Sequence, residues 1–252
     1  LPDKESASSR YCASIDSILF AVQGNSKVID EEGFSAIDDS YDEVLFNRAV
    51  TAAKDVDKVV IFAGLPDLYE CEGYDREHLD IPQVQNDLIG AIAKVNPHVI
   101  VVLENGSPVT MPWLDKVEGV METYLCGEGV GVATVRAIYG RINPSGRLPE
   151  TFPLRLEDNP SYIDFSGDVT NIEYREGIFT GYRYYSKRKM PVLFPFGYGL
   201  SYSTFSYGKM TVDTDKMKDD ETLEVTVDVI NESGIPGKEV VQLYVEADIP
   251  DS

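Results

Sequence analysis

Two short runs, KVVIFA at residues 58–63 and HVIVVL at residues 98–103, constrain the fold more than any other part of this chain. Each is apolar without alternation and rich in β-branched residues, the pattern of strands covered on both faces. Between them, residues 82–95 carry helical apolar spacing, with Pro82 in the first turn and Asn96-Pro97 as the stop. Residues 14–22 and 41–56 also read as helices, the second capped from Asp38, Asp39 or Ser40. A third strand is expected at 117–125 and a further helix at 130–139, ended by Gly140. Buried strands alternating with helices predict a mainly parallel sheet in a layered α/β sandwich.

From about residue 143 the pattern changes. Pro, Gly, Tyr and Phe dominate through Asn143-Pro-Ser-Gly-Arg-Leu-Pro, Tyr182-Arg-Tyr-Tyr and Phe194-Pro-Phe-Gly-Tyr-Gly-Leu-Ser-Tyr. No helical period survives there, so an ordered wrap packing aromatics onto its neighbours is expected. Alternation returns at residues 222–230 (TLEVTVDVI) and 239–246 (EVVQLYVE), joined by a turn at 231–237, which predicts a β-hairpin. The domain reading is therefore an α/β sandwich over 1–204, with its aromatic extension from about 143, and a partial β-sandwich over 205–252. A hairpin alone cannot close a sandwich.

Charge narrows the partners. The 43 acidic residues against 22 basic give a net charge of −21, a field that repels nucleic acid and anionic membranes. The apolar runs are far too short to span a bilayer. Cys12, Cys71 and Cys126 form an odd, scattered set that suggests reduced thiols and a cytoplasmic setting. His78 and His98 have no metal-ligand spacing, and no cofactor is expected. Gly127-Glu-Gly129-Val-Gly131 breaks the dinucleotide pattern at Val132 and reads as a helix start shaped for close packing, with a nucleotide site as its rival. Trp113 and the tyrosines at 182–185 are candidates either for stacking on sugars or for packing at a domain interface.

The most chemically loaded stretch follows the first apolar strand: Leu65-Pro-Asp-Leu-Tyr-Glu-Cys-Glu-Gly-Tyr-Asp-Arg-Glu. It leaves the carboxyl end of a parallel strand, where open α/β sheets bind ligands. Glu70 and Glu72 offer two carboxyls, the type of group that protonates a departing glycosidic oxygen. The competing reading is an acidic, solvated loop.

At Glu72-Gly-Tyr-Asp-Arg the sequence resembles glycoside hydrolase family 3, the β-glucosidase and β-xylosidase family. The matching segments run in family order: Val59-Val-Ile-Phe-Ala-Gly, Glu70-Cys-Glu-Gly-Tyr-Asp-Arg-Glu-His-Leu-Asp-Ile-Pro, Val101-Val-Leu-Glu-Asn-Gly-Ser-Pro-Val, Asn143-Pro-Ser-Gly-Arg-Leu-Pro-Glu-Thr-Phe-Pro, Tyr174-Arg-Glu-Gly-Ile with Gly181-Tyr-Arg-Tyr-Tyr, and Phe194-Pro-Phe-Gly-Tyr-Gly-Leu-Ser-Tyr. The resemblance implies an α/β domain that joins a TIM-type barrel, often followed by a fibronectin type III-like domain. It implies a retaining mechanism in which a barrel aspartate is the nucleophile and a glutamate of the α/β domain is acid, then base. Glu72 matches that glutamate, and Glu70 is the alternative. Asp75 and Arg76 are expected to brace the loop. The substrate implied is a β-linked oligosaccharide or glycoside. Ser6-Ala-Ser-Ser-Arg resembles a stretch that usually follows the domain's opening strand, and no barrel or nucleophile motif is seen. The chain is therefore expected to be a fragment with half an active site, inactive alone, its exposed aromatics meeting either the barrel or a second copy. A carbohydrate-binding or structural module is the rival reading.

Overall fold

The computed structural model describes residues 27–35, 39–127, 129–165 and 171–246. The expected helix at 14–22, the Ser6–Arg10 stretch and Cys12 lie outside these residues. Three strands, β1 (Val59–Gly64), β2 (Val99–Glu104) and β3 (Gly119–Glu122), form a parallel sheet in the order β1-β2-β3. The register pairs Val59 with Val99, Gly64 with Glu104, Ile100 with Gly119 and Leu103 with Glu122. All three strands thus end at nearly one level.

The central strand alone is sealed on both faces: Val99, Val101, Val102 and Leu103 are fully buried. β1 and β3 keep partly exposed positions, since among the described residues each pairs on one side. Each buried aliphatic side chain contributes about 1.5–3 kcal/mol, and this strand concentrates four of them.

Helix α1 (Glu43–Ala52) and helix α2 (Gln83–Val95) pack together beside the sheet. The cap of α1 is Asp42, whose carboxylate accepts from the Val44 and Leu45 amides at 2.8 and 3.1 Å, and not the residues at 38–40. Asp42 wins because an N-cap must stand immediately before the first helical residue to reach those amides. α2 starts after Pro82 and buries Val84, Leu88, Ile89 and Ile92. Its polar residues also face inward. Gln85 Oε1 accepts from the Gly64 amide at 2.9 Å, and Asn86 Oδ1 accepts from Trp113 Nε1 at 2.8 Å. Asn96 stops the helix: its amide group donates to the carbonyls of Ala53 and Val56, and its Oδ1 accepts from the His98 amide. Helix α3 (Val130–Ile138) ends as expected, with Gly140 at φ +65°.

The wrap beyond 143 is ordered by pairing. Backbone bonds join Leu148 to Tyr198 and Gly197, and Phe152 to Phe194 and Leu193. This ribbon drives Phe152 into the core, with Phe194 and Leu193 against it. One expectation fails here: Tyr182–Arg188 forms a short helix, α4, bounded by positive-φ residues Gly181 and Lys189. Seven residues are too few for apolar periodicity to reveal a helix.

The hairpin expected between 222–230 and 239–246 is absent from the described residues. Instead β4 (Phe205–Tyr207) pairs with β7 (Val229–Asn231), and β5 (Thr211–Val212) pairs with β6 (Val225–Thr226), both antiparallel. The returning segment is held elsewhere. Asn143 Nδ2 donates to the Pro236 carbonyl, and Arg147 grips Glu239 with bonds of 2.8 and 3.0 Å in a largely buried ion pair. These contacts draw residues 236–239 onto the wrap and away from β6 and β7.

Gly64 is the tightest point of the sheet, because a Cβ there would fall on the Glu104 carbonyl oxygen. Gly64→Ala is expected to destabilise the domain by about 2–4 kcal/mol, measured by urea denaturation. Gly90→Ala on α2, where a Cβ meets nothing within 4 Å, serves as the control and is expected to gain up to about 1 kcal/mol.

Candidate active site

Because the parallel strands end together, the segments that follow them open on one edge of the sheet. Residues 65–81 leave β1, residues 105–110 leave β2 and residues 123–126 leave β3. The acidic loop folds back at once, with the Tyr69 and Glu70 amides both donating to the Pro66 carbonyl. A bridge between Cys71 and Tyr74 then forms its tip. Glu72 sits on this tip, exposed, and makes no hydrogen bond or ion pair with any described residue.

Glu70 is placed quite differently. Its Oε2 accepts from the Gly106 amide at 2.8 Å and its Oε1 accepts from Ser107 Oγ at 3.0 Å. Arg76 reaches the same turn, donating from Nη1 to Ser107 Oγ at 2.7 Å and to the Pro108 carbonyl at 3.2 Å. Asp75 is exposed and stands outside this network. Burial lowers the Arg76 pKa, an effect opposed by the neighbouring carboxylates of Glu70 and Asp80. Thr110 ties the end of the loop down, its amide donating to Leu79 and its hydroxyl to Asp80.

Sequence reasoning overlooked the acids beneath the loop. Glu122 ends β3 and is pushed up to about 8, chiefly by burial, with Glu150 and Glu70 adding to the rise. Bonds from the Tyr124 amide at 2.9 Å and from Asn105 Nδ2 at 3.3 Å work against that rise. Glu150 is raised as well, first by burial and then by Glu70. Tyr124 adopts φ +52°, a conformation costly for a residue with a side chain. Its hydroxyl is pushed well up by burial and by Glu150 and Glu122. Three buried polar atoms, Arg76 Nε, Arg76 Nη2 and Asn105 Oδ1, have no hydrogen-bond partner among the described residues.

Other candidates are not part of the site. Trp113 is buried, so it offers no face to a sugar. Tyr185 is buried and Tyr182 stacks on Phe196 with centroids 5.0 Å apart. A Cβ at Gly127 or Gly129 would meet nothing within 4 Å, so neither is a glycine for reasons of close packing. Among the described residues no His, Cys, Asp or Glu cluster could hold a metal, and no helix is long and apolar enough to cross a membrane.

Residues 5–202 match the glycosyl hydrolase family 3 C-terminal domain. The chain belongs to that family. It is 49% identical over 225 residues to the thermostable β-glucosidase B of Acetivibrio thermocellus, covering 88% of this chain and 30% of that protein. A probable β-glucosidase I of Emericella nidulans is 44% identical over 81% of this chain and 25% of its own length. The family 3 β-glucosidase of Bifidobacterium adolescentis superposes with a TM-score of 0.81 at 37% identity, over 89% of this chain and 35% of that one. A Kluyveromyces marxianus β-glucosidase solved with glucose superposes at 0.68, also at 37% identity, over 82% of this chain and 23% of that one. The chain thus spans about a quarter to a third of the relatives it matches.

The buried acid gives a pH dependence with a definite sign. Unfolded, the Glu122 carboxyl titrates near 4.5, and folded near 8. Between these values the folded chain holds a proton that the unfolded chain has released, so stability falls as pH rises through this window. Glu122→Gln is expected to flatten that slope and to gain on the order of 1 kcal/mol or more over wild type above pH 8. Thermal unfolding followed between pH 5 and 9 measures both.

Proposed function

We propose that this chain supplies the proton-transfer half of a retaining β-glucosidase active site, with Glu72 as general acid and base. The observation that carries the reading is the contrast between the two candidate carboxyls. Glu70 uses both oxygens as acceptors in the wall of the loop. Glu72 stands free at the tip, at the edge of the sheet where a substrate can reach it. The relatives named β-glucosidases support a terminal β-linked glucoside as substrate.

In the first step the Glu72 carboxyl gives its proton to the glycosidic oxygen. An aspartate of a barrel domain attacks the anomeric carbon, the C–O bond breaks, and a glycosyl ester forms. In the second step the Glu72 carboxylate takes a proton from water, whose oxygen attacks the same carbon and frees the aspartate. The barrel is proposed to cover the exposed apolar side chains of 162–165 and 172–179, among them Ile163, Tyr174 and Ile178, which are 85%, 81% and 72% exposed. Residues from 205 onward are proposed to begin a fibronectin type III-like sandwich. The short antiparallel ladders and the exposed Val240, Leu243 and Val245 support that boundary. The exposed thiols of Cys71 and Cys126 favour a reducing, cytoplasmic compartment.

Joined to its barrel, Glu72→Gln is expected to lose roughly 100-fold or more in rate on an alkyl β-glucoside. The first step on a nitrophenyl β-glucoside, whose leaving group needs no proton, should be largely spared. Steady-state and pre-steady-state assays on the two substrates measure this, and equal survival on both would show that the acid lies elsewhere. The chain without a barrel is expected to give no turnover of either glucoside.

A further inference from the structure

We propose that Glu70, Ser107 and Arg76 form a clamp that positions Glu72, making Glu70 a positioning residue and not a second acid; this rests on the assignment of Glu72 above. The geometry is a closed relay. Arg76 Nη1 donates to Ser107 Oγ at 2.7 Å, and the Ser107 hydroxyl donates to Glu70 Oε1 at 3.0 Å. One serine therefore joins the two feet of the arch that carries Glu72.

The second Glu70 oxygen accepts from the Gly106 amide at 2.8 Å, and Arg76 also holds the Pro108 carbonyl. Four bonds to three polar groups on the turn after β2 thus fix both feet, while the tip between them has the Cys71–Tyr74 bridge, a bond from the Gly73 amide to Cys71 Sγ and one from the Tyr74 hydroxyl to the Asp67 carbonyl. A Cβ at position 106 would come within 2.8 Å of Glu70 Oε1, so a side chain there would push the Glu70 carboxylate off the turn. The turn itself is anchored by Asn105, fully buried, whose amide group donates to the Ser107 carbonyl at 2.9 Å and to Glu122. The position of Glu72 is in this way referred back to the end of the central strand. A displacement of about 1 Å in a catalytic group can cost on the order of 100-fold in rate, so a loop otherwise open to solvent needs such a reference.

The test uses the complete enzyme with its barrel and compares Glu70→Ala, Glu70→Gln, Gly106→Ala and Glu72→Ala. Rates are measured on an alkyl and a nitrophenyl β-glucoside, with and without azide. Glu70→Ala and Gly106→Ala are expected to lose roughly 10- to 100-fold in kcat on the alkyl glucoside, with KM nearly unchanged and the first step on the nitrophenyl glucoside, read as its pre-steady-state burst, largely spared. Glu70→Gln, which keeps one acceptor oxygen, should fall between them and wild type. Azide attacks the glycosyl ester without a general base, forming a C–N bond and freeing the aspartate. A glucosyl azide product is therefore expected from Glu72→Ala alone.

Full activity of both Glu70→Ala and Gly106→Ala on the alkyl glucoside would overturn the clamp and leave the Glu72 assignment standing. Equal losses on both substrates, with a lowered melting temperature, would also overturn it by showing general damage. A glucosyl azide from Glu70→Ala and none from Glu72→Ala would instead overturn the assignment of the acid itself.

Discussion

The parallel pairing of β1 with the central strand β2 closes without an offset at the edge that carries the acidic loop, and it does so because position 64 has no side chain. The Gly64 amide is held by Gln85 of α2, and the Glu104 carbonyl lies against its α-carbon. That contact brings the acidic loop after β1 alongside the Asn105-Gly-Ser-Pro turn after β2. The clamp on Glu70 and Arg76 is possible only in this register. Burial of Val99, Val101, Val102 and Leu103 supplies the driving force, and the positions of the polar groups at the strand ends follow from it.

The same edge gathers acids that would repel one another if all were charged. The arrangement separates them by environment. Glu70 faces the Arg76 guanidinium and two hydrogen-bond donors, while Glu122, half-buried at the end of β3, is pushed up to about 8 and is mostly protonated at neutral pH. A neutral Glu122 lets the other carboxyls lie close without an unpaired buried charge, whose cost would be several kcal/mol. Tyr124, strained at φ +52°, holds Glu122 through its backbone amide. Local strain and a buried acid at one strand end are features that stability alone does not explain.

Much of this was legible in the sequence, for identifiable reasons. β1, β2, α2 and α3 announce themselves by composition and period, and their ends lie within a residue or two of expectation. The acidic loop stood out because its charges interrupt an apolar context. What stayed hidden depends on partners distant in the chain. Pro236 and Glu239 are held by Asn143 and Arg147, about ninety residues earlier, which local alternation does not reveal. Trp113 and Tyr182 read equally as sugar platforms or as packing at a domain interface until Asn86 and Phe196 are seen against them. Glu122 and Glu150 carry no local signature, since only the register of β2 with β3 and the path of the wrap bring them under the loop.

The central claim is that this domain presents Glu72 to a nucleophile on another domain. The most direct measurement is a crystal structure of the complete enzyme with its nucleophile trapped as a fluorinated glycosyl ester. The account predicts the Glu72 carboxyl on the leaving-group side of the sugar, about 5–5.5 Å from the nucleophilic carboxyl, with Glu70 still bonded to Gly106 and Ser107. Glu72 turned to solvent, with Glu70 or another acid in its place beside the sugar, would contradict it.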